Sequence, residues 1–278
     1  YKISHLNVDG NVLESCITIE NSKTSYWVIE NCELTNSGND AAGLQLINSN
    51  LGIVRDNTIH NNLGNGISFD DDSIYNEFNR NIIRDNKFYG IYTYINSPRA
   101  DVVINANEIV NNTIIKNGVG GIFIDYGSQR IAHNLIMDNY VNGIVISSTC
   151  SLPVCIEANL IRNNEGYGIL AIDGILNCTG NRFEKNSADA IFLYDYVLNS
   201  FIYENIFLFD YVYDSGQNIQ WYYNSVGNIW SNYKGQDIND DGIGDTSHPI
   251  SGDLYPIWDL YPIWNDGIED EDIAIHID

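Results

Sequence analysis

The chain has 278 residues, 44% of them apolar, and a net charge of −24. Such a length and composition permit a continuous core, while the charge excludes nucleic acid and polyanionic glycans as natural direct partners and favours bound cations. No run of 18 or more apolar residues occurs, so no membrane insertion is expected, and no signal peptide is visible; a secreted protein would stand here in processed form or as a fragment.

After a partial coil at Ile3–Val8, a repeating register starts near Cys16 and runs to about Phe207. An Asn-x-(Ile/Phe) triplet stands nine residues before a Gly/Ala-Ile pair at Asn57/Gly66, Asn81/Gly90, Asn134/Gly143, Asn159/Gly168 and Asn181/Ala190. Asn107/Gly121 reads as the same unit with five extra residues, and Cys32 can take the Asn place one coil before Asn57. Each repeat holds three short apolar columns. Leu44/Leu46, Ile67/Phe69, Ile91/Thr93, Ile122/Ile124, Ile144/Ile146, Ile169/Ala171 and Ile191/Leu193 follow the glycine at strand spacing. Val54, Phe78, Ile104, Ile131, Ile156, Cys178 and Ile202 precede the Asn by three residues. Leu34, Ile59, Ile83, Ile109, Ile136, Ile161, Phe183 and Phe207 follow it by two. No segment shows a helical period. Self-similarity of this kind predicts an all-β fold, a right-handed parallel β-helix of about nine coils over residues 1–210.

The Asn column reads as scaffold: asparagine tolerates left-handed bends, and its stacked amides hydrogen-bond along the column. The glycines read as tight bends entering a strand. Past Phe207 the composition shifts, with ten of the 19 tyrosines and four of the five tryptophans from Tyr194 onward. Residues 211–264 are expected to form an irregular aromatic segment, and 265–278 an acidic tail ending in a short strand at Ile273–Ile277.

Within that segment Asp237, Asn239, Asp241, Ile243 (through its carbonyl) and Asp245 occupy positions 1, 3, 5, 7 and 9 of an EF-hand-like loop, with Gly242 at the sharp turn; this pattern of oxygen ligands suits Ca2+. Position 12 is His248, so Asp240 or Asp253 is expected to supply a further carboxylate. The five histidines fall in different coil positions and there is one methionine, so no copper or zinc cluster is expected. Cys150 and Cys155 are a disulfide candidate, and Asn111 and Asn177 lie in glycosylation sequons.

The outward positions of the glycine-led strand include Tyr92, Phe123, Val145, Leu170 and Phe192, an apolar strip where a β-helix enzyme would place carboxylates or bases. Three covers are open: the chain's own C-terminal segment, a partner protein or a sugar. Acidic residues collect just beyond this strand at Asp70, Asp71, Asp72, Asp125 and Asp173; a nearby pair could hydrolyse a glycosidic bond.

The repeats resemble those of pectin-lyase-like right-handed β-helix proteins. Gly227-Asn-x-Trp230-Ser-x-Tyr233, Gly235, Asp237-x-Asn-x-Asp-Gly-Ile-Gly-Asp245 and Asp253-x-Tyr-Pro256 resemble the closing segment of the family named for the periplasmic copper-binding nitrous-oxide-reductase accessory protein (NosD-like), as in archaeal secreted and surface proteins. The chain departs from that pattern in Ser247-His248 and in the doubled Asp-Leu-Tyr-Pro-Ile-Trp. The resemblance implies fold and an extracellular or cell-surface location more than activity.

The expectation is a non-enzymatic, calcium-stabilised, secreted or cell-surface structural or adhesive protein. It is expected to self-associate, or to meet other surface proteins, through its open first coil and C-terminal strand. The alternative is a carbohydrate-binding or polysaccharide-degrading protein, either glycosidase or lyase. A third reading, a fragment of a larger surface protein, expects the gene to continue before Tyr1.

Overall fold

The computed structural model describes residues 1–96, 107–148, 151–252 and 257–264. The chain winds as a right-handed parallel β-solenoid of about nine turns, with no helix among the described residues. Each turn gives one strand to each of three parallel sheets. Sheet A runs from Lys2–Ser4 to Phe201–Tyr203 through nine strands, and sheet C from Ile17–Glu20 to Val212–Asp214 through nine. Sheet B starts at Asn7–Asp9 and takes Ile229–Trp230 as its tenth strand, so the coil register continues beyond residue 210.

Alternation sends every second residue inward, and neighbouring coils stack like on like. In sheet A, Ile29, Val54, Phe78, Ile109, Ile131, Ile156, Cys178 and Ile202 lie in register and are wholly buried. In sheet B, Leu34, Ile59, Ile83, Ile114, Ile136, Ile161, Phe183 and Phe207 do the same. Burying each such side chain contributes roughly 1.5–3 kcal/mol before chain entropy is counted.

These registers correct one assignment. Asn112, not Asn107, stands in the Asn column: the Asn81 amide donates to Asn112 Oδ1 at 2.9 Å, and Asn112 donates to Asn134 Oδ1 at 2.8 Å. Ile109 therefore belongs to the sheet A column and Ile114 to sheet B, while Ile104 lies outside the described residues. The nine-residue spacing to the glycine then holds at Asn112/Gly121 as well, and the extra residues fall in the arc between sheets C and A. Two Asn-x-Ile triplets five residues apart, at Asn107 and Asn112, created the ambiguity. Asn107 joins a separate short column, where its Oδ1 accepts from Asn76 at 2.8 Å.

The Asn column is a hydrogen-bonded ladder from Cys32 to Asn228. At each full rung the backbone amide and Nδ2 both donate to the next rung's Oδ1, and Nδ2 also reaches a carbonyl of the preceding coil, as Asn134 does to Ile109 O at 2.8 Å. The left-handed residue is the one before the rung: Asp56, Arg80, Asn111, His133, Ala158 and Glu204 have φ between 50° and 57°. A second full ladder runs five residues later, through Asn62, Asn86, Asn117, Asn139, Asn164 and Asn186. The glycine column also has a different cause from the one expected. Its φ values are ordinary, but a Cβ on Gly143 would lie 2.6 Å from Gly168 O and 2.9 Å from Ile161 Cγ2. Close approach of the next coil leaves no room for a Cβ at these glycines; Ala190, in the last coil of the column, carries one.

The aromatic segment closes the end of the solenoid. Trp230 stacks on Phe207 at 4.3 Å, and Trp221 packs against both at 5.9 and 6.3 Å. Asp259, on a short antiparallel pair formed by His248–Ile250 and Ile257–Asp259, accepts from Asn228 N at 2.8 Å and from Trp230 Nε1 at 2.9 Å. Asp210 ends the second ladder in the same way, accepting from Asn186 Nδ2 at 2.9 Å.

Candidate ligand-binding face

Sheet C places Gln45, Ser68, Tyr92, Phe123, Val145, Leu170, Phe192 and Tyr213 in one outward column, one residue per coil. The expected apolar strip is thus continuous in register. It is uneven in exposure, because Val145 is 3% exposed while Phe123, Leu170 and Phe192 are half-buried. Val145 therefore cannot serve as a contact.

Aromatic rings gather at both ends of the strip. Tyr92 stacks between Tyr94 at 6.2 Å and Phe123 at 5.2 Å, with Tyr89 alongside at 5.8 Å. Farther along, Phe192 contacts Tyr167 at 5.1 Å, Tyr194 at 5.0 Å and Tyr213 at 4.7 Å. The described part of the C-terminal segment does not cover the whole strip. Its first strand, Val212–Asp214, extends sheet C by one coil, and its later strands pack on sheet B, on that strand and on one another. Above Tyr89–Tyr94 the face opens into a cleft of about 470 Å³ that includes Gln45, Asn65 and Ser68.

The carboxylates beyond the strand divide into two groups. Asp70 is 1% exposed and receives the Asn48 amide on both oxygens at 3.0 and 3.1 Å, the Ser73 hydroxyl at 2.6 Å and Asn96 Nδ2 at 3.3 Å. Asp71 accepts from Asn96 N at 2.9 Å. Both hold the arc that leaves sheet C, and neither presents a free carboxylate. Asp72, Asp125 and Asp173 are half-buried. Burial pushes the Asp125 carboxyl up, and its charge in turn raises the neighbouring Tyr92 hydroxyl, which burial already raises. Asp173 lies opposite Ser147 at a register shift, with the coil of Ser147 between it and that of Asp125. Two strand spacings put the coils of Asp125 and Asp173 roughly 10 Å apart.

The acidic loop folds as a turn tied by its own side chains. Asp237 accepts from the amides of Asp241 at 3.2 Å and Gly242 at 2.8 Å, Asp241 from that of Ile243 at 2.9 Å, and Asp245 from that of Ile238 at 2.6 Å. Asn239 Nδ2 donates to Asp241 at 2.9 Å. Gly242 has φ +84° with open space around it, so backbone geometry is its reason. Pairing of Ile243 with Ile263 anchors the turn. The donors are oxygens and are exposed, which fits a hard divalent cation. In this arrangement each carboxylate also faces backbone amides, and among the described residues no three His, Cys, Asp or Glu side chains converge as a metal-binding group. Asp253 lies outside the described residues, and His248 is turned away to stack on Trp230 at 4.4 Å.

Cys155 is a free, half-buried thiol, raised by burial; its expected partner Cys150 lies outside the described residues, as does the Ile273–Ile277 strand. Asn111 occupies a left-handed turn and donates to Asn79 Oδ1 at 3.3 Å, while Asn177 sits half-buried on sheet A. Sequence reasoning missed the cleft and the second ladder. The ladder was visible as a second Asn five residues after the first in six coils. The cleft had no such signal, since Gln45, Asn65, Ser68 and Tyr89 become neighbours only through coil stacking.

A family model described as the right-handed beta helix region matches residues 1–154 and 105–207. No curated protein matches the chain.

Proposed function

From a chain that belongs to the right-handed β-helix family, a scaffold that hosts many unrelated functions, we propose a non-enzymatic, secreted or cell-surface protein with a structural or adhesive role. The observation that carries this reading is the outward face of sheet C. Its column of Tyr92, Phe123, Leu170 and Phe192 is a contact surface; of the acids beside sheet C, Asp70 and Asp71 are engaged as backbone acceptors, while Asp125 stands beside Tyr92. Tyrosine- and phenylalanine-rich surfaces of this type make large contact areas at little entropic cost. The Asp237–Asp245 loop is proposed to bind Ca2+ and brace the closing segment. The residues from Gly227 to Asp245 support affiliation with the NosD-like surface proteins.

Turnover decides between this reading and the polysaccharide-degrading alternative. The intact chain is incubated with neutral and uronic-acid polysaccharides, and new reducing ends and unsaturated products are measured. The expected result is no product above a heat-denatured control. Product formation lost on Asp125→Asn would overturn the non-enzymatic reading.

A further inference from the structure

The cleft on sheet C combines two kinds of surface. One wall is aromatic: the rings of Tyr89 and Tyr92 are inclined by 22°, and those of Tyr92 and Tyr94 by 14°, so the three lie roughly parallel. The other is made of neutral hydrogen-bonding groups held in place by their neighbours. Ser15 donates to Gln45 Oε1 at 3.1 Å, and Gln45 Nε2 donates to the Tyr94 hydroxyl at 3.3 Å. Asn65 Oδ1 accepts from the Tyr89 amide at 2.9 Å, and its Nδ2 donates to Ser68 Oγ at 3.2 Å. These contacts fix both amides and leave the hydroxyl protons of Tyr94 and Ser68, with one N–H on each amide, to face a ligand.

The size and lining suit a small polar ligand with one apolar face. Charge narrows the class. Among the described residues no Lys, Arg or His lines the cleft, Asp40 is part of its lining, and the nearby Lys87 ammonium is held by Asn39 Oδ1 at 2.6 Å. In a chain of net charge −24 this surface repels carboxylated sugars. A pyranose has what the cleft asks for: a flat C–H face for the rings and hydroxyls that both donate and accept.

We infer that the cleft formed by Gln45, Asn65, Ser68, Tyr89, Tyr92 and Tyr94 binds a segment of a neutral glycan, with a pyranose ring packed against its tyrosine wall. The inference rests on the reading of the sheet C face as the recognition surface of a non-enzymatic protein. Glycan binding then makes the adhesive role specific.

The test is calorimetric titration of the intact chain with tetraoses of glucose, mannose, galactose and N-acetylglucosamine, and with tetragalacturonate. At least one neutral tetraose is expected to bind with a Kd of about 1 mM or tighter, and Tyr92→Ala and Gln45→Ala each to weaken it by about tenfold or more. Tyr94→Phe keeps the ring and removes one hydroxyl, and is expected to weaken binding by about threefold even where Tyr92→Ala lowers the melting temperature. Ile82→Thr, on the exposed face of sheet B, is expected to bind as the parent does. The inference is overturned if no neutral tetraose binds, if tetragalacturonate binds more tightly than every neutral one, or if the cleft variants bind like the parent. Cleavage of a bound neutral tetraose would refute the non-enzymatic reading and leave the cleft assignment standing. Absence of both binding and cleavage does the reverse.

Discussion

At Asn134 one residue makes five hydrogen bonds within a wholly buried turn, four of them through its side chain. It accepts from Asn112 N and Nδ2 at 2.8 and 3.0 Å, donates to Ile109 O at 2.8 Å and to Asn159 Oδ1 at 2.9 Å, and lets its own amide reach that same oxygen at 2.9 Å. Only a short side chain with both a donor and an acceptor does all of this. Asn134→Ala takes this acceptor from the Asn112 backbone amide and this donor from the Ile109 carbonyl, at about 1–3 kcal/mol for each buried group, while Asn112 Nδ2 keeps Phe78 O and Val110 O. The expected loss is at least about 2 kcal/mol in urea-induced unfolding; a loss below about 0.5 kcal/mol would show that the rung is dispensable. Asp210 and Asp259 mark where the rule changes. At the last rung no further coil needs a donor, so a carboxylate, which only accepts, replaces the amide. Burial pushes both carboxyls above the usual range, while their hydrogen bonds oppose that shift.

Among the elements, the closing segment holds a histidine whose titration burial displaces. His248 is packed against Trp230 and meets the edge of Tyr233 at 6.2 Å, and desolvation lowers its pKa to about 4. An unfolded chain therefore binds the proton first, near pH 6.5, and the folded chain only near pH 4. The contribution of neutral His248 is fully present above pH 6.5 and is lost as pH falls from there to about 4. Asp214 and Asp259, raised by burial, act in the opposite sense: their contribution is present at low pH and is lost as pH rises through their folded values. His248→Phe keeps a ring on Trp230 and removes the titration. Its melting temperature is expected to fall less than the parent's between pH 7 and pH 4; an equal fall would assign the acid sensitivity elsewhere. The neighbouring acidic turn is judged by cation dependence. Ca2+ is expected to raise the melting temperature reversibly, EDTA to lower it, and Asp237→Ala with Asp241→Ala to abolish both effects. Identical melts in Ca2+ and EDTA would remove calcium from the proposal.

For the whole molecule the two ends of the solenoid differ. One is closed by Trp221, Trp230 and Asp259. At the other, Lys2–Ser4, Asn7–Asp9 and Ile17–Glu20 form the outer strands of the three sheets, and Ile3, Val8, Ile17 and Ile19 are only partly buried. Among the described residues these strands have no neighbour on their outer side, and an edge of that kind with apolar side chains beside it is a surface that another chain can cover. Light scattering from low to high micromolar concentration, with and without Ca2+, is expected to show concentration-dependent association. A monomer throughout would sink the assembly part of the proposed role.

The sequence by itself determined the architecture of this protein. A strand-period apolar pattern recurring with Asn and Gly at constant spacing has no helical solution and no use for a single sheet, so stacked parallel coils follow from local chemistry repeated many times. Even the misplaced Asn107 erred by one triplet within the right architecture. What the tertiary structure alone decided is which outward residues meet. Gln45, Ser68 and Tyr92 are 23 and 24 residues apart and become neighbours because their coils stack in register. The fate of the carboxylates was decided in the same way: Asp70 and Asp71 are acceptors for the arcs that pass them, a role set by the path of Asn48 and Asn96. Inward positions are dictated by burial and repeat; outward positions are free in each coil, and their chemistry arises only from the neighbours that stacking supplies.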